Sequence, residues 1–140
     1  MKRTFGTLCL FLMACLGLQA AQVDTLLVRS ESMNKDIKVV AIRPDKAMKG
    51  EKCPVIYLLH GHSGNARTWI DVRPDLPEIA DRDGIIFVCP DGNYDSWYWD
   101  SPAIKESRYE TFISKELIHY VDTHLSAIPD RNKRAITGLS

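Results

Sequence analysis

The chain lacks the features that mark several classes of protein. Its 140 residues carry 18 Lys and Arg against 18 Asp and Glu, so there is no excess of positive charge for binding nucleic acid. It shows no internal repeat, and its 45% hydrophobic and 26% charged residues are typical of a folded globular domain. Four cysteines are too few for a scaffold built on disulfides. The length leaves room for one domain.

The chain also has no apolar run of the about 20 residues that a membrane-spanning helix needs. Its longest run, residues 8–18, follows Lys2 and Arg3 and precedes the small residues Ala20 and Ala21. This order is typical of a secretory signal peptide. We therefore interpret residues 1–21 as a signal peptide and predict a secreted or periplasmic protein without membrane contact after cleavage. A lipid anchor on Cys15 is the alternative.

Two cysteines, Cys53 and Cys89, remain after such a cleavage. Cys53 opens one predicted strand and Cys89 closes another. If these strands are parallel neighbours, the two thiols lie at opposite ends, about 15 Å or more apart at about 3.3 Å per residue. A disulfide needs Cα atoms within roughly 7 Å of each other. We predict two buried, unpaired thiols.

The hydrophobic pattern predicts an α/β fold in which two antiparallel lead-in strands precede parallel βαβ units. Two nearly continuous apolar runs indicate strands covered on both faces. Spacings of three and four predict a long helix near the end of the chain. The predicted strands are residues 23–29, 36–43, 54–59, 85–88 and 134–137, the predicted helices are residues 74–83 and 108–125, and residues 45–52 are a predicted loop.

Ligands of such sheets bind at the carboxyl ends of the parallel strands. Three segments follow strands there: residues 60–65, 90–100 and 138–140. The last, Gly138-Leu139-Ser140, is the beginning of Gly-x-Ser-x-Gly, the sharp turn that presents a nucleophilic serine above a sheet. Ser63 stands in a second Gly-x-Ser, but Asn65 occupies the place of its last glycine. The strand before Ser140 makes it the better candidate.

The segment from His60 to Gly64 allows three interpretations. Its glycines permit an oxyanion loop in which a backbone N–H near His62 faces a developing negative charge. The pair His60 and His62 resembles a metal-binding His-x-His, but an acid and a third histidine are missing from the next positions, so we predict no metal and no cofactor. The third interpretation is a tight loop with a packed, hydrogen-bonded His60.

Four aromatic residues follow the second apolar strand. Exposed aromatics near a cleft can stack on sugar rings or aryl esters, and they can equally form a lid or core. The neighbouring aspartates lack the spacing of an EF-hand, so they do not predict calcium. On the long helix, Glu116 and His124 are interpreted as boundary residues. The aromatic residues are Tyr94, Trp97, Tyr98 and Trp99, and the aspartates are Asp91, Asp95 and Asp100.

Four blocks of residues form a pattern together. They are YLLHG at 57–61 with Gly64, Asn65 and Trp69; VCPDGN at 88–93 with Trp97, Tyr98 and 100–102; ELIHYVD at 116–122; and Asp130 and Arg131 with RAITGLS at 134–140. This pattern resembles the esterase D type of α/β-hydrolase, a family that includes feruloyl and acetyl-xylan esterases, S-formylglutathione hydrolases and mycolyltransferases. The resemblance covers nearly all of residues 36–140, in family order. It implies the N-terminal part of an α/β-hydrolase fold with an incomplete sheet, in residues 22–140.

The resemblance implies a serine carboxylesterase, in which Ser140 is the nucleophile and the His62 backbone N–H is one oxyanion donor. Trp97 and Tyr98 are the predicted substrate-binding residues, and a feruloyl or acetyl ester of a carbohydrate is the predicted substrate. Acyl transfer to a sugar and non-catalytic carbohydrate binding are the alternatives. No nucleic-acid partner is expected.

The family's catalytic acid and histidine follow the nucleophile in chain order, and the chain ends at Ser140. From the sequence we therefore expect the first half of a longer esterase. We expect the 140-residue polypeptide itself to be inactive. We also expect poor solubility, because its sheet would end at a central strand with an open edge.

Overall fold

The computed structural model describes residues 20–139, which form a single mixed sheet of five strands in the order β1-β2-β4-β3-β5. β1 pairs antiparallel with β2, β2 pairs antiparallel with β4, and β3 pairs parallel with both β4 and β5. The predicted antiparallel lead-in and the parallel pairing are confirmed. The strands are β1 Gln22–Ser30, β2 Lys35–Arg43, β3 Val55–Leu59, β4 Ile86–Pro90 and β5 Arg134–Gly138.

The three inner strands are apolar on both faces because helices cover both sides of the sheet. Alternate residues of β2 belong to opposite cores: Val39 and Ala41 face one core, and Val40 and Ile42 face the other. All five residues of β4 are buried. The apolar runs that predicted β3 and β4 are thus explained by burial on two faces.

Each face of the sheet is covered by its own helices. On one face, α2 Thr68–Val72 and α3 Leu76–Asp83 lie beside the core that contains Phe87 and Leu58. On the other, a helical segment at 109–124 packs over the core through Phe112, Leu117 and Val121. This segment consists of α4 Tyr109–Thr111, a π-helical turn Phe112–Glu116 and α5 Leu117–His124.

Three predicted segments differ from the structure. Residues 45–52, expected to be a loop, contain the short helix α1 Asp45–Met48. The helix expected at 74–83 begins at Leu76, and Pro77 occupies its first turn, where proline lacks only an N–H that would be unpaired anyway. The helix expected at 108–125 contains a π turn.

Cys53 and Cys89 are both buried and unpaired, as predicted. Burial raises the pKa of the Cys89 thiol to about 12. Burial also raises the pKa of the Cys53 thiol, and the nearby Lys46 only partly offsets this. Within residues 20–139, no helix is both long and apolar enough to cross a membrane.

Candidate functional site

The three segments predicted to carry the chemistry converge at the carboxyl ends of β3, β4 and β5. They form a cleft that is lined by residues 60–62, residues 92–98 and Leu139. The sheet explains this meeting, because β3 pairs parallel with both neighbours and the three strands therefore end on the same side. Ser140, the predicted nucleophile, lies outside the described residues. It directly follows Leu139 in the sequence.

His60 is a buried connector between two of these segments. Its Nδ1 lies 2.7 Å from the carbonyl oxygen of Gly61, and its Nε2 accepts a hydrogen bond of 2.8 Å from the Gly92 amide. The ring is therefore packed and hydrogen-bonded, as one of the sequence interpretations expected. It links the end of β3 to the end of β4.

The charge state of His60 is set by opposing contacts. Burial disfavours the imidazolium, but Asp91 and the Gly61 carbonyl favour it more strongly and raise the pKa of His60. Asp91 Oδ1 is 3.7 Å from Nε2, whereas the Gly92 amide nitrogen is at 2.8 Å. Nε2 cannot donate to Asp91 while it accepts from Gly92. The shorter contact identifies the neutral ring as the state that this geometry holds.

His62, whose backbone N–H is the predicted oxyanion donor, is one of the residues that line the cleft. Among the described residues, this N–H donates to no acceptor, whereas the next amide, that of Ser63, donates to the carbonyl of Tyr94 at 2.8 Å. The His62 side chain is exposed, and its ring meets the ring of Tyr94 edge-on with centroids 4.8 Å apart. An unpaired amide beside a cleft can bind a negatively charged oxygen.

Tyr98 has a structural contact that the sequence did not predict. Its hydroxyl accepts a hydrogen bond from the His60 amide at 3.0 Å and donates to the His60 carbonyl at 3.2 Å. Its ring lies so close to Gly92 that a Cβ there would be 2.2 Å from a ring carbon. Tyr98 lines the cleft and also joins two loops. The sequence placed Tyr98 among the aromatic residues near the cleft, but it gave no signal for the hydrogen bonds to His60.

The aromatic loop is held in an unusual backbone conformation. Trp97 and Tyr98 both have positive φ values, 55° and 53°, which are unfavourable for residues with a Cβ. Buried Ser96 supports this turn, since its hydroxyl donates to the Gly92 carbonyl and accepts from the Tyr98 amide. As a result Trp97 projects outward with 79% of its surface exposed, and Tyr94 is 59% exposed.

The remaining candidates lie outside the cleft. Glu116 accepts hydrogen bonds from the Ser30 hydroxyl and the Ser32 amide, both at 2.7 Å, and His124 stacks on Tyr120. Asp100 accepts from the amide and the hydroxyl of Thr111. No group of three potential metal ligands occurs in the part of the chain that the structure describes.

Comparison with known proteins assigns the chain to a family. The family model described as "Putative esterase" matches residues 30–140, which is most of the chain. The chain belongs to this esterase family. The matched region contains β2 to β5 and all three segments of the cleft, so the esterase-family assignment and the observed site refer to the same residues.

Relatives of this esterase-family chain include an acetyl esterase from Caldicellulosiruptor saccharolyticus, which is 29% identical over 119 residues that cover 79% of the chain and 44% of the relative. A solved ferulic acid esterase is 30% identical with a TM-score of 0.73, and the match covers 86% of this chain and 51% of that one. An S-formylglutathione hydrolase from Agrobacterium tumefaciens shares the fold at 20% identity, with a TM-score of 0.74, over 88% of this chain and 52% of that chain. The chain thus spans about half the length of these relatives and has the α/β-hydrolase arrangement of strands.

Proposed function

We propose that the protein containing this chain is a serine carboxylesterase whose nucleophile is Ser140. The observation that carries the proposal is the cleft itself. Leu139, the residue before Ser140, lines the same cleft as the exposed Trp97 and as His62, whose amide donates to no acceptor among residues 20–139. A serine hydroxyl at this end of β5 would attack an ester carbonyl, and the His62 N–H would donate to the oxygen that becomes negatively charged.

A histidine must take the proton from Ser140 in this mechanism. His60 already uses both ring nitrogens for Gly61 and Gly92. His119 and His124 belong to the helical segment, which contributes no residue to the cleft. The ring of the fourth histidine, His62, packs edge-on against Tyr94 on the loop that would supply the oxyanion donor. We therefore assign the general base to none of the four, and we propose that the base and its acidic partner come from outside residues 20–139.

We propose an acetyl or feruloyl ester of a carbohydrate as the substrate. Two relatives are described as an acetyl esterase and a ferulic acid esterase. The exposed faces of Trp97 and Tyr94 stand beside the cleft, where they can stack on an aryl group or a sugar ring. Tyr98 supports the same loop through its contacts with Gly92 and His60.

The proposal is tested with the full-length product of the gene. We expect it to hydrolyse p-nitrophenyl acetate and methyl ferulate, and to react with a fluorophosphonate probe that peptide mapping places on Ser140. Ser140→Ala should abolish both reactions. Ser114→Ala is the matched control, because Ser114 is exposed on the helical segment and bonds only the Glu110 carbonyl.

Three outcomes would contradict this assignment. Labelling of Ser63 would move the nucleophile to the other Gly-x-Ser sequence. Full turnover by Ser140→Ala would exclude Ser140. Transfer of the acyl group to an added sugar in preference to water would identify an acyltransferase. The 140-residue polypeptide alone is expected to show no serine-dependent turnover.

We also propose that the protein is exported and that residues 1–21 are removed. The support is the positive, apolar and small-residue order at the N-terminus. N-terminal sequencing of the protein from cell fractions is expected to find Ala21 or Gln22 first, in the periplasm or medium. An intact Met1 in the cytoplasm would contradict export, and a lipid-modified Cys15 would identify an anchor instead.

A further inference from the structure

We propose that His60 is a positioning residue for the oxyanion donor. Its imidazole fixes the orientation of the peptide between Gly61 and His62, so that the His62 N–H stays directed into the cleft. The inference rests on the proposed function, because an oriented amide matters to the reaction only if an oxyanion forms beside it.

The orientation follows from the geometry of a peptide bond. Because the peptide is planar and trans, the Gly61 carbonyl and the His62 N–H point in opposite directions. That carbonyl receives two hydrogen bonds, one from the His60 ring at 2.7 Å and one from the Gly64 amide at 3.1 Å. With the oxygen held on this side, the His62 N–H is held on the other, where no acceptor among residues 20–139 competes for it.

The Gly92 amide determines which ring nitrogen of His60 carries the proton. It donates to Nε2 at 2.8 Å, and a ring nitrogen that accepts a hydrogen bond has no proton. The proton of the neutral ring is therefore on Nδ1, which faces the Gly61 carbonyl. The Gly92 amide, after the end of β4, thus keeps the proton on Nδ1 of His60. From there the ring donates to the Gly61 carbonyl and orients the peptide between Gly61 and His62, in the loop after β3.

The chain is bonded to the aromatic loop both before His62, at His60, and after it, at Ser63. The Tyr98 hydroxyl bonds the amide and the carbonyl of His60, and the Ser63 amide donates to the Tyr94 carbonyl. Only a glycine fits beside the ring at position 64, where a Cβ would lie 2.8 Å from His60 Nδ1. Hydrogen bonds and close packing therefore hold the backbone in place on both sides of the His62 amide.

Two substitutions of His60 separate positioning from general stability. In His60→Asn, the side-chain NH₂ replaces Nδ1 and can still donate to the Gly61 carbonyl. In His60→Gln, the amide group reaches the position of Nε2 and can bond only Gly92. In the full-length product we expect His60→Gln to lower kcat by about 10-fold or more. Complete loss of an oxyanion donor lowers kcat by about 100- to 1,000-fold, which sets the upper end of the expected effect. KM should change little, and His60→Asn should retain the larger kcat.

A second pair of variants tests the support from Tyr98. Tyr98→Phe removes the hydroxyl that bonds the His60 peptide and should lower kcat. Tyr120→Phe is the matched control, because Tyr120 lies on α5 and contributes nothing to the cleft. Its kcat and KM should equal those of the unmodified protein.

Imidazole ¹⁵N NMR of the full-length product provides a readout that does not depend on turnover, with the His60 signals identified by their loss in His60→Asn. We expect the Nδ1–H tautomer. An Nε2–H tautomer would overturn the inference even in an active esterase, and so would equal kcat values for the two His60 variants. If both variants fail to fold, the kcat of Tyr98→Phe decides, and an unchanged kcat there would overturn the inference. A folded product that hydrolyses no ester would instead overturn the proposed function.

Discussion

At the scale of single residues, the close approach of Gly92 and Tyr98 is the most sensitive contact of the site. A Cβ on residue 92 would lie 2.2 Å from Cε1 of the Tyr98 ring. We predict that Gly92→Ala destabilises the full-length product by about 1–3 kcal/mol, the usual cost of forcing extra atoms into a packed site. It should also lower esterase activity, because the Gly92 amide supports His60. Urea unfolding and ester hydrolysis measure the two effects.

The cause of the Gly92→Ala effect can be isolated by a double-mutant cycle. Tyr98→Ala removes the ring with which the new methyl collides, so the two changes together should cost less than the sum of their separate costs. Gly50→Ala is the comparison, because no atom lies within 4 Å of its Cβ position and only its φ of 88° opposes the change. Strict additivity of the two site variants would show that the steric explanation is wrong.

The two buried cysteines give a second prediction at this scale. The thiolate is the reactive form of cysteine, and burial raises the pKa of both thiols, that of Cys89 to about 12. In the native protein at pH 8, iodoacetamide should modify neither Cys53 nor Cys89, and it should modify both after unfolding. Peptide mapping by mass spectrometry measures this. Rapid labelling in the native state, or a peptide pair linked by a disulfide, would contradict the prediction.

At the scale of elements, Glu116 connects the helical segment to the turn between β1 and β2. Its carboxylate accepts from the Ser30 hydroxyl and the Ser32 amide, and Ser30 is fully buried. Glu116→Ala should therefore destabilise the protein by about 1–3 kcal/mol, since it leaves a buried hydroxyl without its charged acceptor. Glu110→Ala, on the exposed side of the segment, should cost less than about 0.5 kcal/mol. Urea unfolding compares them, and equal losses would contradict a specific role for Glu116.

The elements that the sequence predicted well are those whose burial pattern is simple. The apolar runs of β3 and β4 and the alternation in β2 reflect the two cores directly. The π turn was missed because Ile113, Leu117, Val121 and Leu125 recur at four residues, which a pattern search counts as α-helical. A spacing of four exceeds the 3.6 residues of an α-helical turn, and one wider π turn takes up part of this excess.

The candidate site was predictable in its location but not in its internal contacts. The ends of parallel strands meet on one side of a sheet, so the order of elements was enough to bring residues 60–65, 90–100 and 138–139 together. The contacts of Tyr98 depend instead on two consecutive residues with positive φ. A left-handed backbone at Trp97 and Tyr98 contradicts their local preferences, and the hydrogen bonds of Ser96 and His60 stabilise it.

At the scale of the whole molecule, the two edges of the sheet differ in chemistry. β1 exposes Val23 and Leu27, but two of its residues are buried and its Asp24 pairs with Arg43 of the neighbouring strand. β5 has no described partner on its outer side, none of its five residues is buried, and Ile136 is 58% exposed. An open strand edge with exposed apolar residues favours pairing between molecules.

We therefore predict that the 140-residue polypeptide self-associates through β5 and that Ile136→Lys reduces the association. A lysine on an edge strand disfavours further strand pairing. Leu27→Lys, on β1, is the matched control, because Leu27 is 64% exposed and the change adds the same charge at the opposite edge. Size-exclusion chromatography with light scattering measures the mass of each form. Equal improvement by both variants would attribute the effect to net charge, and a monodisperse, cooperatively unfolding monomer of the unmodified polypeptide would contradict the role of the β5 edge.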